Sequence, residues 1–288
     1  MRKQFKETIV NLAGQDESIV LLFGDVSVYL FNDYKDKYPN RFYNVGICEN
    51  TIISVGAGLG VQGFTPFMHT ITPFITERSY EQIKIDMCYN RVGGNIVTCG
   101  ASFDYSWDGA THHAFTDLAI LRLLPGMEVL QPGSRKELDI LLRSQYKNGS
   151  PTYYRLSDHP HDIEMLVKFG EAAILKDNGA PLTVMTAGPI LANVMEACRD
   201  LNVNLVYFHT IKPIDKGVIG RFRASEIIVV HDAYGLYEAI GEVSNLHLTY
   251  YGLPDQFCGC YGTVQDARKK FGLDPQAIRE FVKRRLEK

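Results

Sequence analysis

Val45-Gly46-Ile47-Cys48-Glu49-Asn50 closes a strand-like run at residues 42–45 and opens a glycine- and alanine-rich helical run at 50–62. It sets one carboxylate, Glu49, at a strand-to-helix junction where a buried ligand can be met. Upstream, residues 3–13 carry Phe5, Ile9 and Leu12 at helical spacing, and the apolar run 19–23 ends in Gly24-Asp25. Downstream, a short strand is expected at 65–70 and a helix at 75–90, with Tyr80, Ile83, Met87 and Cys88 on one face. Strands at 95–98 and 127–130 alternate with helices at 116–123 and 135–147, and Tyr153-Tyr154-Arg155-Leu156 closes the series. Alternation of this kind predicts an α/β fold with a mostly parallel sheet.

A polar, proline-containing stretch follows, Ser157-Asp158-His159-Pro160-His161-Asp162, and reads as the start of a linker. A second alternating series then runs to a terminal helix at 275–286, with Asp274 as its N-cap and Pro275 in its first turn. The expected organisation is two α/β domains, residues 1–157 and 169–288, joined by a linker at 158–168. The 288 residues fit two domains of about 100–200 residues each. A 45% hydrophobic, 22% charged composition is that of a globular protein, and no apolar run nears the roughly 18 residues of a membrane span. A net charge of −3 leaves no footprint for a nucleic-acid backbone. Six dispersed cysteines, of which only Cys258 and Cys260 are close, suggest reduced thiols and a cytoplasmic protein.

Two further blocks accompany the first: Thr72-Pro73-Phe74-Ile75-Thr76-Glu77-Arg78 and Asp108-Gly109-Ala110-Thr111-His112-His113. In this order and spacing the three resemble the pyrimidine-binding domain of a transketolase. Thr186-Ala187-Gly188, Thr210-Ile211-Lys212-Pro213-Ile214-Asp215 and Phe271-Gly272-Leu273-Asp274 are similar to that family's C-terminal domain. The resemblance implies thiamine diphosphate as cofactor. It makes Glu49 the carboxylate that meets the aminopyrimidine, Phe74 the aromatic stacked on that ring, and Asp25 an acid near the cofactor. It makes Asp108 and His112 contacts of the donor sugar, His112 able to move a proton near neutral pH. His113 stands in place of the family's Gln, and Arg2 occupies the position of an arginine that grips substrate phosphate. The residues alone also permit plainer roles: Glu49 as a helix cap, Phe74 as core, Asp25 as a turn residue.

Departures from the family pattern carry as much meaning. The sequence contains no Gly-Asp-Gly, the start of the element that holds Mg2+ or Ca2+ and through it the diphosphate. The expected partner is therefore an N-terminal transketolase-like subunit carrying that site, with two copies of each chain. Tyr29 replaces a phosphate-contacting serine, and Asp158 stands where a phosphate-gripping arginine belongs, so a substrate other than a simple sugar phosphate is expected. The activity implied is transfer of a two-carbon ketol unit between sugars. The alternatives weighed are the beta subunit of a 2-oxo acid dehydrogenase, a fragment of a 1-deoxyxylulose-phosphate synthase, and a non-catalytic assembly module.

Overall fold

A computed structural model describes residues 1–259 and 261–287. Twelve strands among the described residues form two sheets: β1 Ile19–Phe23, β2 Phe42–Asn44, β3 Thr65–Ile71, β4 Gly94–Cys99, β5 Glu128–Leu130, β6 Pro151–Arg155, β7 Ala173–Lys176, β8 Leu182–Ala187, β9 Asn204–Phe208, β10 Thr210–Lys212, β11 Glu226–Val230 and β12 Leu248–Tyr251. The first sheet runs β10-β5-β6-β4-β3-β1-β2 and the second β12-β11-β8-β9-β7. Pairing is parallel except at β10 on β5 and β7 on β9. The α/β architecture read from alternation is the one observed.

Two departures from the expected pattern bear on the site. The helix expected at 75–90 starts earlier, at Thr72–Arg78 with Pro73 in its first turn, and continues as a π-helical segment, Ile83–Tyr89. Proline's missing N–H costs nothing at a helix start, which moves the boundary upstream. The segment Thr210–Lys212, expected in the second series, crosses to the first sheet and pairs with β5, so the two halves share a sheet edge. Their cores are correspondingly continuous. Met127, Val129 and Tyr153 belong to one buried apolar cluster with Val206, Phe208 and Ile227.

The first sheet positions the site. Its β1, β2, β3, β4 and β6 are parallel and end at matched register, Phe23 beside Asn44 and His69, Ile71 beside Cys99, Thr98 beside Arg155. The helix Glu49–Val61 lies against β3 at close range because Gly56 carries no side chain: a Cβ there would sit 2.3 Å from the Met68 sulfur. Helix depth, and with it the placement of Glu49, depends on that contact.

Buried histidines make the fold sensitive to acid. His69 and His231 are fully buried, and burial pushes each imidazole down to about 4. Nδ1 of His69 lies 2.6 Å from the Val97 carbonyl and Nε2 lies 3.1 Å from the Ser27 hydroxyl, a pattern satisfied by the neutral ring donating from Nδ1. The unfolded chain protonates these groups as pH falls through 6.5, whereas the folded chain waits until about 4. Stability is thus full above the unfolded value and declines below it, by about 2 kcal/mol per histidine at pH 5. Urea unfolding at pH 7 and pH 5 checks this, and equal stabilities would contradict it.

Among the described residues no helix is long and apolar enough to cross a membrane. Cys88, Cys99, Cys198 and Cys258 are buried and Cys48 is exposed. Cys260, the other half of the Cys-x-Cys pair, lies outside the described residues.

Candidate active site

Every candidate residue except Arg2 follows the C-terminal end of a strand of the first sheet, where open parallel sheets bind ligands. Glu49 opens the helix after β2. Phe74 and Arg78 lie on the helix after β3. Asp108 and His112 lie on the loop after β4, and Asp158 follows β6.

Glu49 is buried at the first position of its helix, yet no side chain caps that terminus. Its carboxylate instead accepts from Nη1 of Arg78, at 3.3 Å to Oε1 and 3.4 Å to Oε2. The Arg78 guanidinium in turn lies over the ring of Phe74, 4.2 Å from its centroid. A planar, N–H-bearing group thus stacks on Phe74 while donating to Glu49. Those are the two contacts an aminopyrimidine requires, so the residues present fit the cofactor the family implies.

His112 adjoins this group, its ring 5.0 Å from that of Phe74 in an edge-on arrangement. Thr111 Oγ1 lies 2.9 Å from His112 Nδ1. Asp108 is exposed on a single 3-10 turn, and Gly109 behind it takes φ +76. A Cβ at Gly109 would meet the Tyr261 ring at 2.5 Å, so the second half of the chain packs directly on the Asp108 turn. Asp25, also in the left-handed region at φ 66, is exposed and bonded to Asn44 rather than to Glu49. Asn44 Oδ1 also accepts from Gly46, which ties the Asp25 turn to the stretch leading into Glu49.

The remaining candidates are arranged differently from expectation. His113 is buried, stacked on Phe115 and edge-on to Phe103, where burial lowers its pKa. His112 sits in a turn, its N–H bonded to the Gly109 carbonyl, and its ring lies by Phe74, whereas the His113 ring packs among Phe103 and Phe115. Arg2 and Asp158, 156 positions apart, form a two-pronged ion pair, Nε to Oδ1 at 3.1 Å and Nη2 to Oδ2 at 2.9 Å. Asp158 therefore does not face the site as a bare charge, and Arg2 is not a free guanidinium: each is paired with the other. The pair lines a cavity of about 330 Å3 with Lys3, Tyr29 and Arg135.

Two contributors escaped the sequence reading. Arg78 lies four residues after Phe74, the spacing that puts side chains on one helix face, and that signal was available. Tyr105 joins the two ends of the site, its hydroxyl 3.4 Å from Asp158 Oδ2 and its ring 6.2 Å from that of His112. Sequence distance gives no sign of this link. Among the described residues no three His, Cys, Asp or Glu side chains come together as a metal site.

This arrangement has known counterparts. Residues 1–159 match the family model described as transketolase, pyrimidine binding domain. A putative transketolase C-terminal section of Methanocaldococcus jannaschii is 28% identical, the alignment covering 100% of this chain and 96% of that one. One of the subunits of an apulose-4-phosphate transketolase from Phocaeicola vulgatus is 29% identical, over 98% of this chain and 97% of that one. The solved structure of a split-gene transketolase, an inactive beta4 tetramer, superposes with a TM-score of 0.88 at 26% identity, covering 99% of this chain and 98% of its own. The chain belongs to the transketolase family. Along its whole length it corresponds to the C-terminal section of a split transketolase, a transferase subunit.

Proposed function

We propose that this chain is the pyrimidine-binding and C-terminal half of a thiamine diphosphate-dependent enzyme that moves a two-carbon ketol unit between sugars. The observation that carries the reading is the buried Glu49 carboxylate, which leaves its own helix terminus uncapped and turns to a planar group stacked on Phe74. When bound, the cofactor supplies the carbanion chemistry that amino-acid side chains lack. Glu49 then holds the proton shared with the pyrimidine ring nitrogen, a task for which a buried carboxylate is suited. Phe74 holds the ring plane, displacing the Arg78 guanidinium from its face. His112 moves a proton at a donor oxygen, and Asp108, exposed on its turn, meets a sugar hydroxyl. Asp25 stands at the rim of the same sheet edge, near the cofactor.

A partner subunit completes the site. It carries the Gly-Asp-Gly element and with it Mg2+ or Ca2+, and two copies of each chain assemble in the cytoplasm. An apolar face supports this part of the reading. Val55 and Val61 on the Glu49–Val61 helix and Ile85 and Tyr89 on the neighbouring π-helical segment are exposed, the last at 80%. Ser54 donates to Asp86 at 2.6 Å and binds the two segments into one surface. Large apolar side chains left exposed on adjoining segments favour an interaction site, and these begin on the helix that carries Glu49.

Substrate choice follows from the Arg2–Asp158 pair. A phosphate is gripped best by a pre-positioned guanidinium fork, and here that fork is already engaged by Asp158. Lys3 and Arg135 in the same cavity are exposed, and solvated surface cations hold an anion weakly. The end of the substrate remote from the reacting carbon is accordingly a neutral, unphosphorylated one. The test is ketol transfer by the chain mixed with its partner, with pentose phosphates set against unphosphorylated ketoses and aldoses. The unphosphorylated sugars are expected to react faster, and Asp158→Asn is expected to raise kcat/KM for the phosphates about tenfold by freeing Arg2. Pentose phosphates turning over in the wild type at about 10⁴ M⁻¹s⁻¹ or above would contradict the reading.

A further inference from the structure

The two walls of the candidate site arise from different strands. Phe74 and Arg78 follow β3, whereas Asp108 and His112 sit on the loop between Ser102 and Ala114, after β4. Nothing in their own hydrogen bonds fixes the 5.0 Å spacing between the Phe74 and His112 rings. A buried polar chain beneath them does connect the walls. Arg155, at the end of β6 and fully enclosed, donates from Nη1 to Ser102 Oγ at 3.1 Å and from Nη2 to the Ala114 carbonyl at 2.6 Å. It thereby grips both ends of the loop, which are themselves bridged as an isolated antiparallel pair. Its Nε donates to Asp117 Oδ2 at 2.7 Å, and the Tyr153 hydroxyl donates to the same oxygen at 2.7 Å. Tyr153 lies 3.1 Å from Thr98 Oγ1, and the Thr72 hydroxyl donates toward Thr98 at 2.9 Å. Thr72 is the first residue of the Phe74 helix.

We propose that Arg155, Asp117, Tyr153, Thr98 and Thr72 form one positioning network that holds the His112 loop in register with the Phe74 helix. The inference rests on reading Phe74 and His112 as one site. All five residues are buried, at 1% exposure or less. A satisfied network of that kind is rigid and admits few alternative arrangements. A second bridge, Thr116 Oγ1 to Glu77 Oε1 at 3.0 Å, ties the residue two positions past the loop to the same helix from the exposed side. Neither bridge touches a substrate position, so the network acts through the residues it holds.

The chain carries its own reporter. Trp107 is its single tryptophan and lies on the held loop, 56% exposed. The test compares three variants of the full chain: Tyr153→Phe and Thr72→Val, which cut the network at two points, and Tyr154→Phe. Tyr154 is the neighbouring buried tyrosine, whose hydroxyl has no partner among the described residues. The first two are expected to red-shift Trp107 emission, increase its quenching by acrylamide, and reduce the ring-current shift that Phe74 imposes on the His112 Cε1 proton in NMR spectra. Tyr154→Phe is expected to change none of these, and the melting temperature of each variant shows that it is folded. In the complex with the partner, Tyr153→Phe is expected to lower kcat about tenfold with KM unchanged, the usual effect of slight misplacement. Wild-type Trp107 and His112 signals in folded Tyr153→Phe and Thr72→Val would overturn the proposal. Loosened signals with undiminished turnover would support the network and count instead against the catalytic reading of His112.

Discussion

Glu49→Gln in the assembled enzyme is expected to lower turnover at least about a hundredfold while leaving fold and assembly intact, the scale typical of a lost proton-transfer group. Gln keeps the shape of the side chain and can still accept from Arg78, but it cannot share a proton with a ring nitrogen. Little stability should be lost. The Glu49 carboxylate caps no helix terminus, and its donor Arg78 is 54% exposed, so water can replace the missing charge there. A capping role would give the reverse result, a loss of about 0.5–2 kcal/mol with near-normal turnover. Steady-state kinetics and thermal melts of the same preparation separate the two. Retained turnover would end the assignment of Glu49.

Neither this chain alone nor its partner alone is expected to transfer ketol units, and activity should appear on mixing and level off at equal molar ratio. On the proposed reading the side chains gathered here would supply a proton site, a stacking surface and sugar contacts, but nothing in the sequence matches the Gly-Asp-Gly metal element. A diphosphate carries several negative charges, and without a bound cation the cofactor would lose its strongest anchor. The exposed Val55, Val61, Ile85 and Tyr89 face would be covered in the complex, so Tyr89→Glu is a suitable disruptor: it should abolish mixing-dependent activity without unfolding the chain. Activity in the isolated chain would refute the shared site.

What could be read from the sequence was whatever is local in the chain. Glu49 was legible because one six-residue junction fixes a strand end, a helix start and a carboxylate together. Phe74 and His112 were legible as motif members, though not as ring neighbours. The α/β alternation gave both sheets, because buried parallel strands and amphipathic helices each leave a period in the sequence. Contacts that join distant segments left no such mark. Arg2 and Asp158 stood out singly as gain and loss of a phosphate contact, and their pairing, which engages the Arg2 fork, left no mark in either position. His113 stood out as a replacement for the family's Gln, and its packing between Phe103 and Phe115 could not be read from its place next to His112. β10 could not be assigned to the first sheet from its own three residues, since its pairing is set by where the second half docks.

On the proposed reading the Glu49 junction is one half of a cofactor site divided between two chains. Calorimetric titration of thiamine diphosphate with magnesium into this chain, into the partner, and into their mixture tests it most directly. The expected result is tight, metal-dependent binding in the mixture alone, lost when EDTA is added and weakened by Phe74→Ala. Tight, metal-dependent binding by this chain in isolation would contradict the claim.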